Sequence, residues 1–162
     1  MSAIARLSCI LAFALALGAG HGAMACPNPE ASAATILRES GVNLRRGRML
    51  RIFAPGGAPL AACPQATVAH ATEAGFPVSP TLEISLAGMI GLGVELRPVG
   101  GCARELLMRT PDGTWYHRGP GLSGSVPAVV LSSVGNGSLL VWVGTDAGES
   151  CRLRLDVLTI SN

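Results

Sequence analysis

The sequence predicts an all-β chain, an antiparallel β-sandwich or barrel of about eight or nine short strands. Three observations carry that prediction. Apolar residues recur with period two, clusters of Gly, Pro, Asn and Asp separate the runs, and no long stretch has helical period. With 21 Gly and 11 Pro among 162 residues the chain is rich in turns, yet its regularly spaced apolar runs are those of a folded protein rather than a disordered one.

The elements follow in order. Glu30–Arg38 fits either a short helix or a first strand. In Arg48–Ala54, Leu50, Ile52 and Ala54 share one face, Met49, Arg51 and Phe53 share the other, and Pro55-Gly56-Gly57 ends the run. Over Thr81–Leu86 the residues Leu82, Ile84 and Leu86 oppose Thr81, Glu83 and Ser85, and Val94 and Leu96 are split in the same way from Glu95 and Arg97. Glu105–Arg109 and Thr114–Arg118 flank Thr110-Pro111-Asp112-Gly113, a hairpin turn in which Pro fixes one dihedral and Gly accepts a positive one. Val129–Leu131, Ser138–Gly144 and Cys151–Thr159 complete the series. In the last of these a one-residue slip would bury Arg152, Arg154 and Asp156, so its register is strongly specified. The expected core is Leu, Val and Ile, with Trp142 and Trp115 as its large anchors. Phe53, Phe76 and Tyr116 are the other aromatics beyond residue 25, too few for a sugar-stacking platform.

Residues 1–25 read as a cleaved signal peptide and 26–162 as a single domain. Arg6 supplies the positive start, Leu7–Gly18 the apolar stretch and Ala23-Met24-Ala25 the small-x-small cleavage pattern, and the stretch is shorter than the ~20 residues of a transmembrane helix. Cleavage leaves Cys26 first. A lipoprotein reading, with Cys26 acylated, ranks second because Ala23 stands where such signals usually carry Leu. The cysteines that remain are Cys26, Cys63, Cys102 and Cys151, an even set that implies two disulfides in a periplasmic or secreted protein. Three pairings are open; Cys26–Cys63 with Cys102–Cys151 is preferred because each then joins elements expected to be neighbours.

No residue set specifies a reaction. Gly121-Leu122-Ser123-Gly124-Ser125 faintly resembles a serine-protease nucleophile motif and Val68-Ala69-His70 its histidine region. The resemblance fails because Leu122 replaces the Asp before the Ser, Ser125 replaces the second Gly of a GxSxG elbow, and Asp112 is a turn residue. A working triad needs three positioned groups and an oxyanion hole, not three residue types, so an enzyme is not expected. Cys and His lack the paired spacing of a zinc site, and Asp112, Asp146 and Asp156 lack that of a calcium loop, so neither metal nor cofactor is expected. All 12 basic residues are Arg, against 10 acids, and this near balance predicts no polyanion such as nucleic acid as partner. Two weak binding candidates remain. Trp115, Tyr116 and His117 lie beside the Gly119–Ser125 loop, and Arg45, Arg46 and Arg48 form the one charge concentration, able to attract an anionic surface or polysaccharide.

Several pieces together resemble a family of small exported bacterial proteins with a pre-peptidase C-terminal-like (PPC-like) β-sandwich domain. They are Ala54-Pro55-Gly56-Gly57 with Leu60 and Cys63, Cys102 before Glu105-Leu106-Leu107-Met108, Pro111-Asp112-Gly113-Thr114-Trp115, and Val141-Trp142-Val143-Gly144-Thr145 before Cys151. The likeness spans residues 50–158 and implies a jelly-roll-like sandwich, export, and a non-catalytic role beside peptidases. Tyr116-His117-Arg118-Gly119-Pro120 stands where the family commonly has an acidic cluster, and Ala103 where it tends to have Asp, which removes any metal role carried by that cluster. The expected function is an exported, non-catalytic binding or protein-interaction module whose partner is another envelope or secreted protein. The alternative is a lipid-anchored envelope protein.

Overall fold

The computed structural model of the chain describes residues 26–69, 72–121, 126 and 128–161. The expected signal peptide, residues 1–25, lies outside the described residues. Nine strands form two facing sheets. The five-stranded sheet has the order β1 (Ile36–Ser40), β5 (Leu82–Ala87), β10 (Gly137–Gly144), β7 (Glu105–Arg109), β8 (Trp115–Arg118). The four-stranded sheet runs β2 (Arg48–Ala54), β11 (Cys151–Ser161), β6 (Leu92–Val99), β9 (Val129–Leu131). The predicted all-β sandwich is present, with a strand where each period-two run lies.

Two features depart from the expected pattern. Of the expected Glu30–Arg38 element only the end is regular, as strand β1, which starts at Ile36 and runs two residues beyond Arg38, and it pairs in parallel with β5 while the other neighbours are antiparallel. A parallel pair cannot be closed by a tight hairpin. The chain instead leaves β1 through a one-turn helix, α1 (Gly41–Leu44), capped by Ser40 Oγ accepting from the Asn43 N–H at 3.2 Å, and crosses to β2 in the opposite sheet. The second departure is a segment not foreseen in the sequence. Between β2 and β5 lie the two-residue strands β3 (Ala58–Pro59) and β4 (Gly75–Phe76), a 3-10 turn at Leu60–Ala62 and the short helix α2 (Ala66–Ala69).

That segment explains why the chain has two apolar clusters. The cluster between the sheets contains Ile52, Ile84, Leu96, Met108, Val141, Val143 and Leu155, and it holds no aromatic side chain. The second cluster contains Leu60, Cys63, Phe76, Leu107, Leu140 and Trp142, with Cys26 and Trp115 packed against it. It lies on the outer face of the five-stranded sheet, beneath the segment between β2 and β5. The pleat dictates this. Leu139, Val141 and Val143 point into the sandwich, so Leu140, Trp142 and Gly144 must point out of it. The expectation that Trp142 and Trp115 anchor the sandwich interior is therefore corrected: they anchor the outer cluster, with ring centroids 5.2 Å apart, and Trp142 Nε1 donates to Val78 O at 3.2 Å.

Both disulfides reinforce this plan. Cys26–Cys63, with Cα atoms 5.6 Å apart, fastens the segment before β1 to the covering segment, and the buried Gln65 side chain donates to Pro27 O at 3.0 Å beside it. Cys102–Cys151, with Cα atoms 5.7 Å apart, ties the approach to β7 in one sheet to the start of β11 in the other. No helix among the described residues is long and apolar enough to cross a membrane.

Gly144 sets how closely the cover can approach. A Cβ there would lie 2.7 Å from the Phe76 ring, whose side chain is fully buried. Gly144→Ala should therefore destabilise by roughly 1–3 kcal/mol through overpacking, and Phe76→Ala by about 3–5 kcal/mol through the cavity it leaves. Because the methyl and the ring compete for one space, the double variant should cost clearly less than the sum, a coupling that urea denaturation of the four proteins would measure.

Cutting Cys26–Cys63 with the double variant Cys26→Ser and Cys63→Ser should loosen the cover before the sheets. The expected record is red-shifted tryptophan fluorescence at a denaturant concentration where the far-ultraviolet β signal is still intact.

Candidate binding surfaces

The hairpin β7–β8 places Trp115, Tyr116 and His117. Its turn is fixed by Asp112, which accepts from the Thr110 hydroxyl and from the Thr114 N–H at 3.1 Å, while Gly113 N–H donates to Thr110 O at 2.9 Å. The Thr110 hydrogen bond, with that of Thr114, holds the Asp112 carboxyl below the usual carboxylate range. Beyond the turn, alternation separates the three residues. Trp115 lies opposite Arg109 and His117 opposite Leu107, both on the outer face, whereas Tyr116 lies opposite Met108 on the inner one.

His117 is half-buried and paired rather than solvated. Its Nε2 is 2.7 Å from Glu105 Oε2, and the two side chains are 12% and 11% exposed. Glu105, which the sequence does not single out, is thus the partner that fixes the ring. Tyr116 is exposed at the mouth of the sandwich. There the free edges of β8 and β9 flank a groove of about 590 Å³ lined by Met108, Tyr116, His117, Arg118, Val129 and Leu131. Tyr116 and His117 thus share this groove, whereas Trp115 packs into the outer aromatic cluster. The adjoining Leu122–Ser125, with Ser123, and His70 lie outside the described residues.

The arginines are arranged more tellingly. Arg48 lines one depression with Arg45 and Arg46 but is paired with Glu39, whose Oε1 accepts from Arg48 Nε at 2.8 Å and so clamps β2 to the end of β1. Arg45 and Arg46 follow α1, are exposed, and have no ionic partner among the described residues. They adjoin the outer face of the four-stranded sheet, where pairing register aligns further arginines. Arg154 stands opposite Arg51 on one side and Val99 on the other, Arg152 opposite Phe53, and Asp156 opposite Met49 and Arg97.

This face carries Arg51, Arg97, Arg152 and Arg154 against Glu95 and Asp156, and Arg45 and Arg46 extend it at one end. The rest of the described chain holds five arginines and eight acids. The near-neutral total conceals a basic face and an acidic remainder. Glu95 and Asp156 are bound by Arg97 and Arg154, the latter at 3.1 Å, whereas Arg51 and Arg152 have no ionic partner among the described residues. The Arg152 guanidinium lies 6.0 Å from the Phe53 ring centroid, and Met49, Phe53 and Val99 are exposed between the cations. Two shallow depressions of about 590 and 410 Å³ run along the face. Arg154 Nε and Asp156 Oδ1 are buried in it without a hydrogen-bond partner.

Elsewhere Asp146 serves the fold. Arg104 binds Asp146 in a two-pronged pair, at 2.9 Å from Nε and 2.7 Å from a terminal nitrogen, and this hydrogen bonding holds the Asp146 carboxyl below its ordinary range. No group of His, Cys, Asp and Glu among the described residues is arranged to hold a metal ion. Comparison with models of known protein families gives no match, and comparison with curated protein sequences gives none either.

The Glu105–His117 pair should be structural. Glu105→Ala, which leaves the half-buried imidazole unpaired, should cost about 1–3 kcal/mol in thermal or urea unfolding. The joint replacement Glu105→Leu with His117→Leu should recover most of that loss, since two apolar side chains can replace a buried polar pair at little cost.

Proposed function

We propose that the chain is an exported, disulfide-stapled, non-catalytic binding module, and that its binding surface is the outer face of the four-stranded sheet. The observation that carries this reading is the segregation of charge onto that face, where exposed Met49, Phe53 and Val99 lie among the guanidiniums. Arg, Met and aromatic residues are the types enriched at protein interfaces, and Lys is depleted there. An anionic polysaccharide would engage the cations but leave the apolar side chains idle, so the partner of choice is an acidic protein of the same compartment. The orphaned Arg154 Nε and Asp156 Oδ1 add support, since buried polar atoms without partners are costly.

Two disulfides suit an oxidising compartment, which favours a periplasmic or secreted location. The alternative, a lipid anchor on Cys26, competes for the sulfur that bridges Cys63, because one sulfur cannot carry both a thioether and a disulfide. The likeness to PPC-like sandwiches fits a non-catalytic role and makes an exported peptidase one candidate partner.

A photocrosslinker placed at Phe53 in living cells should give one discrete protein adduct. The joint reversal Arg51→Glu with Arg152→Glu should abolish it while leaving the melting temperature within a few degrees. An adduct that survives charge reversal, or that forms equally from Val78 on the covering segment, would overturn the assignment.

A further inference from the structure

One end of the sandwich holds a feature that the sheet-face reading does not use. The β5–β6 turn, Gly88-Met89-Ile90-Gly91, presents Ile90 at 95% exposure. It is a built protrusion. Gly88 and Gly91 take positive φ values of 64° and 67°, Met89 is buried in the core, the Met89 N–H donates to the Asn136 side chain at 3.0 Å, and the Leu92 N–H closes onto Met89 O at 3.0 Å. Helix α1 packs beside it, since a Cβ on Gly41 would lie 2.9 Å from both Gly88 O and Met89 Sδ. From α1 Val42 projects at 66% exposure, and Arg45 and Arg46 follow at once. The nearby acid, Glu39, is neutralised by Arg48.

We infer that this end docks on an anionic lipid surface, with Ile90 and Val42 entering the headgroup–acyl boundary and Arg45 and Arg46 meeting the phosphates. Two isolated apolar side chains on a convex, pinned tip find no hydrophobic patch of their own to join, and a protein would need a matching socket. A fluid interface accommodates the protrusion without one. The cations supply charge complementarity to anionic headgroups, and their small number makes the contact reversible and salt-sensitive. The surface shares Arg45 and Arg46 with the rim of the sheet face but does not include its centre, Arg51, Phe53 and Arg152.

Sedimentation with vesicles tests it, using the protein as the cell processes it. Binding to phosphatidylcholine–phosphatidylglycerol vesicles should fall by roughly ten- to thirtyfold for Arg45→Ser with Arg46→Ser. It should fall by about tenfold or more for Ile90→Asp, while Ile90→Leu keeps it. Vesicles of phosphatidylcholine alone should bind weakly, and Arg51→Glu with Arg152→Glu should leave lipid binding intact. Equal binding to both vesicle types, wild-type binding by Ile90→Asp, or loss only on reversal of Arg51 and Arg152 would overturn the inference. So would a dimer that Ile90→Asp dissolves, which would make the tip a contact between copies. Because Ile90 is almost fully exposed, its replacement leaves the core untouched, and an unchanged melting temperature confirms that loss of binding is not loss of fold.

Discussion

Strand β10 is buried on both faces, and the rest of the structure follows from that constraint. It sits at the centre of the five-stranded sheet, between β5 and β7. Its alternation sends Leu139, Val141 and Val143 into the sandwich and Leu140 and Trp142 to the other side. A sheet face bearing the indole of Trp142 with Leu107 and Leu140 cannot stay in water without losing the apolar burial that makes folding favourable; a side chain the size of an indole covers on the order of 200 Å², at about 25 cal/mol per Å². The segment between β2 and β5 exists to cover it. That segment is too short of regular hydrogen bonding to hold itself in place, with two strands of two residues each, so its position is set by Phe76 packing under Gly144 and by Cys26–Cys63.

The two disulfides therefore solve different problems. Cys102–Cys151 joins the two sheets where β7 and β11 begin, and so limits their separation in the unfolded chain. Cys26–Cys63 closes the aromatic cluster, a cover added to an already complete two-layer core. Ordering such a cover costs backbone entropy residue by residue, and a crosslink that shortens its search in the unfolded state offsets part of that cost.

Most of the sandwich was legible in the sequence because one physical signal, alternation on a half-buried strand, is local. The bounds of β2 and the face assignment of β11 match the period-two reading residue for residue. The covering segment was illegible because it has no period: its burial comes from the sheet it lies on, not from its own pattern. The doubly buried strand had in fact announced itself, since Leu139-Leu140-Val141-Trp142-Val143 is a continuous apolar run, which marks a strand covered on both faces. The site was less legible. Trp115, Tyr116 and His117 are adjacent in sequence, but strand geometry sends adjacent residues to opposite faces. Arg51, Arg97 and Arg152 are far apart in sequence, but register brings them onto one face. Neighbourhood along a β chain is a poor guide to neighbourhood in space, and the pairing register that corrects it is a long-range property.

The two sheets also differ in what they leave in water, and the difference bears on function. A bare outer face on an antiparallel sheet is ordinary and needs no partner to explain it. What is not ordinary is its composition. A merely solvated face would distribute both signs of charge, as the near balance of the whole sequence would suggest, yet six arginines collect on and beside this one while eight of the ten acids lie elsewhere. Self-repulsion among those cations opposes folding, and the ion pairs to Glu95 and Asp156 relieve it only in part. Arginine suits such a surface better than lysine because its planar, weakly hydrated head can lie on an aromatic ring, as Arg152 does near Phe53, and still present donors outward. A face that sheds water easily, carries unspent donors and repels itself gains most when an acidic surface is laid against it.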